Sequence, residues 1–183
     1  ILVAVAAWVD VLGFAVARGF FVSFMSGNTT TFGIAAGHGN YGDLIAFGSL
    51  IGTFTLGIVL GEWVGSVSRR WLVFVLEAAS LWAAAWALWQ ADPTWAALGC
   101  LTLGMGMHNA SDHHRGRYAH QTYITGTLVK FGRSVGAALA GAGPWRAARL
   151  PAITWLVFAS SGVVSALLSF RVGVLVPLVA AAT

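Results

Sequence analysis

The segment from Trp71 to Gln90 contains twenty residues and a single charged side chain, that of Glu77. An α-helix needs about 20 apolar residues to cross the roughly 30 Å hydrocarbon core of a bilayer. Over the whole chain of 183 residues, 58% are hydrophobic and 9% are charged, whereas soluble domains carry about 25% charged residues. These features predict a chain that folds within a membrane and argue against an ordinary water-soluble domain.

Apolar segments follow one another along the whole chain, separated by Gly, Pro and short polar stretches. Lipid offers the backbone no hydrogen-bond partner, so membrane spans are helices or closed barrels, and the alternating pattern typical of membrane barrels is missing. We therefore predict an all-α polytopic transmembrane helix bundle, a single membrane domain over residues 1–183. Eight segments are expected, with Leu150-Pro151 as a break, at about 1–17, 20–36, 44–67, 71–90, 94–110, 119–138, 151–169 and 172–183.

Two parts of the sequence resemble each other when the chain is compared with itself at an offset of 99 residues. Residues 10–37 then align with 109–136 without a gap, and matched polar residues such as Asp10 and Asn109 favour an internal duplication over chance. Five aligned pairs are identical: Arg18 and Arg117, Gly27 and Gly126, Phe32 and Phe131, Gly33 and Gly132, and Gly37 and Gly136.

The loop charges favour one topology for these repeats, which we place at residues 1–92 and 93–183. If all eight segments crossed the membrane, the Lys and Arg residues would divide six to four between its faces. If the second segment of each repeat is re-entrant, they divide eight to two, which satisfies the positive-inside rule. We predict six net crossings from two inverted three-crossing repeats, with discontinuous or re-entrant polar helices at 20–36 and 119–132 and both termini cytoplasmic.

Asp10 stands out because apolar residues flank it on both sides. A carboxylate in hydrocarbon is costly unless it is protonated, paired or facing a cavity. One hypothesis is a proton or cation site near the repeat interface, with Asn109 as its pseudo-symmetric partner. The other is a buried cap that bonds the backbone of a broken helix, and the sequence leaves both open.

Each repeat also carries hydroxyl side chains around a glycine inside an apolar segment, as a break in a membrane helix requires. A half-helix that begins near Asn28 or Thr127 would point free N–H groups and a positive dipole end at an anionic or polar group. The alternative is that the hydroxyls satisfy the backbone at a kink. The residues predicted to bind a substrate are Asp10, Ser26, Gly27, Asn28, Asn109, Thr125, Gly126 and Thr127.

Two other patterns indicate packing. Glu62 and Glu77 would lie about 10 Å below the predicted cytoplasmic face, where we expect salt bridges with Arg115, Lys130 or Arg133. A glycine stripe allows close helix approach in lipid, either within the chain or across a homodimer. The stripe consists of Gly48, Gly52, Gly57, Gly61 and Gly65.

A dense group of histidine and aspartate residues raises the hypothesis of a metal site, because imidazole and carboxylate suit zinc, nickel or copper. No fixed helical spacing supports that site. The candidate ligands are His108, Asp112, His113, His114 and His120.

We do not expect an enzyme. Ser26 and His108 would supply the nucleophile and base of an intramembrane serine protease, but the usual Gly-x-Ser-x-Gly context is absent. The net charge of +4 comes from Lys and Arg residues scattered among the spans, as loop anchoring requires. Nucleic acid is therefore not an expected partner, and no cofactor is expected.

Several short motifs carry a resemblance to a known family. They are the Val9-Asp10 dipeptide, Phe21-Val-Ser-Phe-Met-Ser-Gly-Asn28, Gly106-Met-His-Asn-Ala110 and Thr122-Tyr-Ile-Thr-Gly-Thr127. In this order they resemble the YoaK-like family of bacterial inner-membrane proteins, a domain of unknown function. The resemblance implies about six membrane helices and no assigned activity. Ser26 and His108 depart from it, since a Thr and a Gln are common there.

The leading functional hypothesis is a transporter of a small polar or ionic solute in the bacterial inner membrane, with its site between the repeats near the membrane midplane. The alternative is a non-transporting membrane sensor or scaffold, metal-responsive through its histidine-rich loop. Nothing in the sequence names a substrate.

Overall fold

The computed structural model describes residues 2–17, 19–69, 71–90, 94–112, 123–174 and 179. Within these residues the secondary structure is entirely helical, which confirms the expected all-α class. A short 3-10 helix, Trp145–Ala148, precedes the last of the seven α-helices found in residues 2–174. These are α1 (Leu2–Ala17), α2 (Met25–Gly37), α3 (Tyr41–Val67), α4 (Trp71–Trp89), α5 (Thr94–Asp112), α6 (Ile124–Leu139) and α7 (Arg149–Val172).

In the part of the chain that the structure describes, three helical stretches are by length and composition able to cross a membrane: α3, α4 and residues 145–172, which join the 3-10 helix to α7. Helix α1 is a shorter apolar helix. Exposed aromatic side chains stand at the ends of the long helices, at Tyr41, Trp71, Trp89 and Trp145. Aromatic residues favour the two interfaces of a bilayer, so these positions fit helices that end near its surfaces.

The polar second segment of the first predicted repeat begins later than the sequence indicates, since helix α2 starts at Met25 rather than near residue 20. In the second repeat α6 starts at Ile124, and residues 119–122 of the predicted segment lie outside the described residues. Residues 19–24 are not helical. With 13 residues, α2 is about 20 Å long, too short to cross the hydrocarbon core alone. A non-helical stretch therefore separates α1 from α2, Gly27 lies within α2, and the re-entrant topology stays a prediction.

Pro151 does not break the chain as we expected. It lies in the first turn of α7, where Ala148 is the N-cap residue. The first N–H groups of a helix have no partner within the helix, so a proline that lacks this group is tolerated there. The predicted eighth segment, 172–183, lies mostly outside the described residues, and α7 ends at Val172, before Gly173 with φ 79°.

Helix α5 is the centre of the packing, because it contacts α3, α4 and α1. Helix α1 also packs on α7, while α2 packs on α3 and α6 packs on α7. The apolar core between α1, α4 and α5 includes Val9, Leu12, Leu81, Leu101 and Met105, each at most 1% exposed. The long helices of one predicted repeat thus pack on helices of the other.

Part of the glycine stripe is used inside the chain. A Cβ atom added to Gly57 would overlap the carbonyl oxygen of Leu103, and one added to Gly106 would overlap that of Phe54. A Cβ at Gly61 would lie 2.8 Å from the Cβ of Ala110. Helices α3 and α5 therefore approach as closely as their backbones allow. The homodimer through Gly48–Gly65 stays a prediction. Gly57 and Gly61 face α5 within the same chain, so they are not exposed to a second copy.

Candidate functional site

The non-helical stretch after α1 is held against that helix by Asp10. One carboxylate oxygen, Oδ1, accepts hydrogen bonds from the backbone N–H groups of Val22 at 3.1 Å and Ser23 at 2.9 Å. The other oxygen, Oδ2, accepts a hydrogen bond from the Ser23 hydroxyl at 2.6 Å. A carboxylate only accepts hydrogen bonds, and three donors from one short stretch converge on it. These are the contacts that the cap hypothesis requires.

Gly13 gives this stretch room to lie on α1. A Cβ atom at Gly13 would come within 2.5 Å of Cγ1 of Val22, and the Val22 side chain is fully buried. Positions 10 and 13 lie on the same face of a helix. Helix α1 thus places a carboxylate beside the space left by Gly13. The Val22 side chain packs into that space, and the N–H groups of Val22 and Ser23 bond to the carboxylate.

Asn28 holds the same stretch from the side of α2. Its amide oxygen accepts the N–H of Phe21 at 3.2 Å, and its Nδ2 donates to the Phe21 carbonyl at 2.6 Å. The side chain is 1% exposed. One asparagine therefore replaces both hydrogen bonds that the Phe21 backbone lacks outside a helix. Asp10 and Asn28 together fix three consecutive residues between two helices.

A cavity of about 510 Å³ adjoins this stretch. Its walls come from α1, residues 21–24, the first turn of α6 and the middle of α7, so both predicted repeats contribute. The lining residues are Ala7, Asp10, Val11, Phe14, Phe21, Ser23, Phe24, Ile124, Thr125, Phe158, Ala159 and Gly162. Ligand sites of about 300–1,000 Å³ are commonly apolar with a few placed polar groups, and this cavity has that composition.

The cavity combines aromatic walls with one formal negative charge. Phe14, Phe21, Phe24 and Phe158 supply four rings, and of the lining residues that the structure describes only Asp10 has an ionisable side chain. The rings of Phe14 and Phe21 lie 5.2 Å apart, and those of Phe21 and Phe24 lie 5.3 Å apart, edge to face. Aromatic faces and a carboxylate both attract cations.

The structure brings two of the eight predicted binding residues, Asp10 and Thr125, to this cavity. Ser26 is exposed on α2, outside the lining. Asn109 is partly buried, and its Nδ2 donates to the Met105 carbonyl at 2.9 Å within α5. Asn28 points at the Phe21 backbone rather than into the cavity.

The other three predicted residues support the starts of α2 and α6. A Cβ at Gly27 would come within 2.7 Å of the Phe24 ring, and one at Gly126 would overlap the Tyr123 ring. Thr127 is buried, and its hydroxyl donates to the Tyr123 carbonyl at 3.3 Å. The two glycines leave space for an aromatic ring to pack over the first turn of each helix. The role of these three residues in binding a substrate stays a prediction.

Several threonines of the polar segments satisfy their own helix. The hydroxyls of Thr29, Thr30 and Thr31 donate to backbone carbonyls four residues earlier at 2.8 to 3.1 Å. Thr55 and Thr154 do the same. This bonding lets a hydroxyl lie in an apolar environment without an outside partner. For Thr29 to Thr31, the structure therefore agrees with the alternative in which hydroxyls satisfy the backbone.

Sequence reasoning missed Ser23 and the four phenylalanines. At the repeat offset of 99 residues Ser23 falls opposite Thr122, and this pairing of two hydroxyl residues was its one signal. The phenylalanines had none, since 11 such residues occur in the chain and most positions in an apolar protein are candidates for packing. Only the return of the chain along α1 brings Phe14 and Phe21 to one cavity.

Glu77 pairs with a histidine rather than with Lys130 or Arg133 as predicted, and Arg115 lies outside the described residues. Its Oε1 lies 2.7 Å from Nδ1 of His108, and both side chains are buried. Nε2 of His108 lies 3.1 Å from the carbonyl oxygen of Leu2. Both ring nitrogens of His108 are thus engaged inside the helical core, which leaves no lone pair for a metal ion and none for a base acting on Ser26.

The remaining candidate metal ligands, the Asp112 side chain with His113, His114 and His120, lie outside the described residues. Among the residues that the structure does describe, no three His, Cys, Asp or Glu side chains are grouped so that they could hold a metal ion. The metal hypothesis for the histidine-rich loop stays a prediction.

Comparison with known proteins assigns no activity to the chain. No curated protein and no solved structure matches the chain significantly. A family model described as a protein of unknown function, DUF1275, matches residues 1–183. The match covers every described helix and both sides of the cavity, and the chain therefore belongs to the DUF1275 family.

Proposed function

We propose that this protein is a membrane transporter of small organic cations with an aromatic or apolar body, and that the solute binds in the cavity beside Asp10. The observation that carries the proposal is the Asp10 carboxylate in the wall of an aromatic cavity between the two predicted repeats. Transporters commonly bind their solutes at a repeat interface, next to interrupted helices. The interruption at residues 19–24 supports this comparison.

The charge of the solute follows from the lining. Among the described lining residues, Asp10 carries the one negative charge and there is no lysine or arginine. The side-chain donor to its Oδ2 within the described residues is the Ser23 hydroxyl, and an ionised carboxyl group has about four lone-pair sites in all. A positively charged group would find this oxygen on one side and phenylalanine rings on the others. An anion would lose its hydration without gaining a donor of comparable strength.

The proposed setting is the bacterial inner membrane, with six net crossings, inverted repeats and cytoplasmic termini. Three helices of sufficient length and apolar character support a membrane location. The packing of α1 on α7 and of α5 on α3 supports an interlocked pair of repeats. The cavity then lies where α1 of the first repeat meets α6 and α7 of the second.

Uptake of labelled benzyltrimethylammonium into liposomes that contain the purified protein tests the proposal. This probe has a permanent positive charge and an aromatic body, and benzylsulfonate serves as the matched anion. We expect protein-dependent uptake of the cation alone. The Asp10→Asn variant should lose that uptake, since asparagine keeps an acceptor for the two backbone N–H groups and removes the charge.

Asp43→Asn is the control variant, because Asp43 is an exposed carboxylate at the start of α3. It should transport like the wild-type protein. If neither probe enters, or if Asp10→Asn transports normally, the proposal is wrong. If Asp10→Asn lowers the unfolding temperature while the folded fraction keeps full uptake, Asp10 is a structural cap and the charge argument fails.

A further inference from the structure

The second carboxylate inside the helical bundle, that of Glu77, lies apart from the cavity lining and has a different neighbourhood. Its partner is His108, with 2.7 Å between Oε1 and Nδ1. The side chains are 8% and 2% exposed. His108 also contacts the Leu2 carbonyl oxygen at the start of α1. The pair therefore connects three helices, α4, α5 and α1.

The hydrogen bonds fix how many protons the pair holds. The Leu2 carbonyl can only accept, so Nε2 of His108 must carry a proton to donate across 3.1 Å. The short contact between Nδ1 and Oε1 needs one more proton between them. That proton belongs either to an imidazolium facing a carboxylate or to a carboxylic acid facing a neutral imidazole. The two forms have the same net charge.

The other oxygen of Glu77 distinguishes these forms. Oε2 is buried and has no hydrogen-bond partner among the described residues. In a carboxylate, Oε2 would carry about half of a negative charge without a donor, and burial of such an oxygen is costly. In a carboxylic acid whose proton lies on Oε1, Oε2 is a neutral carbonyl oxygen and the cost is smaller. The helices that carry the pair also supply most of the apolar core.

We propose that Glu77 and His108 form a proton-binding site in the helical core, with the proton on Oε1 of Glu77, and that the bound proton fastens the start of α1 to α4 and α5. When the proton leaves for solvent, the carboxylate of Glu77 faces the lone pair of Nδ1. The two atoms repel each other, the ring turns, and the hydrogen bond from His108 to Leu2 is lost. The protonation state thereby controls the position of α1.

Other titratable groups on the surrounding helices are few. Helix α4 has no ionisable side chain besides Glu77. Besides His108, the ionisable side chains on the neighbouring helices are Asp10 on α1, Tyr41, Asp43 and Glu62 on α3, and Cys100 and Asp112 on α5. Asp10 is engaged with residues 22 and 23, and Asp43 is exposed. A signal from Glu77 can therefore be assigned by replacing it and comparing with a neighbouring acid.

Infrared spectroscopy of the purified protein in lipid tests where the proton lies. At neutral pH we expect the C=O stretching band of a protonated carboxylic acid. The band should disappear in Glu77→Gln and remain in Glu62→Gln, which makes the same chemical change on α3. Glutamine also donates to Nδ1 in place of the acid, so Glu77→Gln should fold. A wild-type spectrum without the band, or a band that Glu77→Gln leaves unchanged, overturns the proposal.

A second measurement needs no change at the pair. In protein whose four other histidines are replaced by Gln, ¹⁵N NMR of His108 should show one protonated nitrogen and one without a proton. Two protonated nitrogens would mean an ion pair and would overturn the proposal. This outcome is independent of solute uptake, so the proton site and the transport proposal can fail separately.

Hydrogen exchange tests the link to α1. As rising pH removes the infrared band, the amides of the first two turns of α1 should exchange about tenfold faster than the intrinsic pH effect predicts, for the loss of one fastening hydrogen bond. In Glu77→Gln, which cannot release the proton, this extra acceleration should be absent. Equal acceleration in both proteins would show that α1 moves independently of the site.

Discussion

Phe24 and Tyr123, 99 residues apart in the chain, have the same backbone conformation immediately before a helix. Their dihedral angles are φ −84°, ψ 69° and φ −81°, ψ 67°. In each case the aromatic ring covers the glycine three residues later, Gly27 or Gly126. The aligned sequences thus begin their polar helices in the same way, as a duplicated unit would.

The ends of these two helices also correspond, with a shift in register. Gly39, with φ 67°, ends α2 and Gly141, with φ 69°, ends α6. In both, the N–H of the following residue donates to a carbonyl five residues earlier, at 2.9 and 2.8 Å, which is the Schellman motif. Because α2 has 13 residues and α6 has 16, the ungapped alignment at offset 99 fails beyond these helices.

The first prediction concerns the orientation of the two repeats. His38 and Arg146 follow α2 and α6, and both are exposed. If the repeats are inverted, these positions lie on opposite faces of the membrane. In a Cys100→Ala background, His38→Cys should react with a membrane-impermeant maleimide from one side only, and Arg146→Cys from the other. Labelling of both from the same side would show that the repeats are parallel.

The fold class was predictable from hydropathy, because the apolar character of a membrane helix can be read from about twenty consecutive residues without knowing the tertiary structure. The predicted breaks at Gly27 and Gly126 are not there, since both glycines lie in the first turns of α2 and α6. The start of α2 was misplaced by five residues because the Asp10 carboxylate holds Val22 and Ser23 outside any helix. Every residue except proline has a backbone N–H group, so the sequence does not show which of these groups a side chain will bind.

The site was less predictable than the fold, because it depends on which helices meet. Glu77 and His108 are separated by 31 residues, and only the packing of α4 on α5 brings them together. The sequence offered Arg115, Lys130 and Arg133 as equally reasonable partners for Glu77. The cavity likewise joins Phe14 to Phe158, and no spacing rule relates residues on α1 and α7.

The second prediction concerns the backbone bonds that Asp10 supports. Asp10→Ala leaves the N–H groups of Val22 and Ser23 without their acceptor, and an unsatisfied buried group costs about 1–3 kcal/mol. We expect a clear fall in the unfolding temperature measured in detergent, and a smaller fall for Asp10→Asn. Asp43→Ala, at an exposed helix start, is the control. Equal falls for the two Asp10 variants would contradict the cap geometry.

The third prediction concerns Asn28. Its side chain makes two hydrogen bonds to Phe21 and is buried, whereas Thr29, the next residue, is exposed and bonds only to its own helix. Asn28→Ala should therefore destabilise the protein by about 2 kcal/mol. Thr29→Val should change the free energy of unfolding by less than about 0.5 kcal/mol, as surface substitutions usually do. Denaturant titration followed by tryptophan fluorescence would measure both.

The fourth prediction uses two glycines of the same helix, Gly106 and Gly99. A Cβ at Gly106 would overlap the Phe54 carbonyl and come within 2.9 Å of Cα of Gly57. Both contacts are backbone atoms, which cannot turn aside, so Gly106→Ala must push α3 away from α5. Overpacking of this kind costs about 1–3 kcal/mol.

Gly99 is the matched control for that substitution, because nothing lies within 4 Å of a Cβ added there. Alanine favours a helix over glycine by up to about 1 kcal/mol, so Gly99→Ala should be neutral or slightly stabilising. Thermal unfolding of the two variants in the same detergent compares them directly. If Gly106→Ala unfolds at the temperature of Gly99→Ala, α3 and α5 are not in backbone contact, and the close packing at the centre of the bundle is wrong.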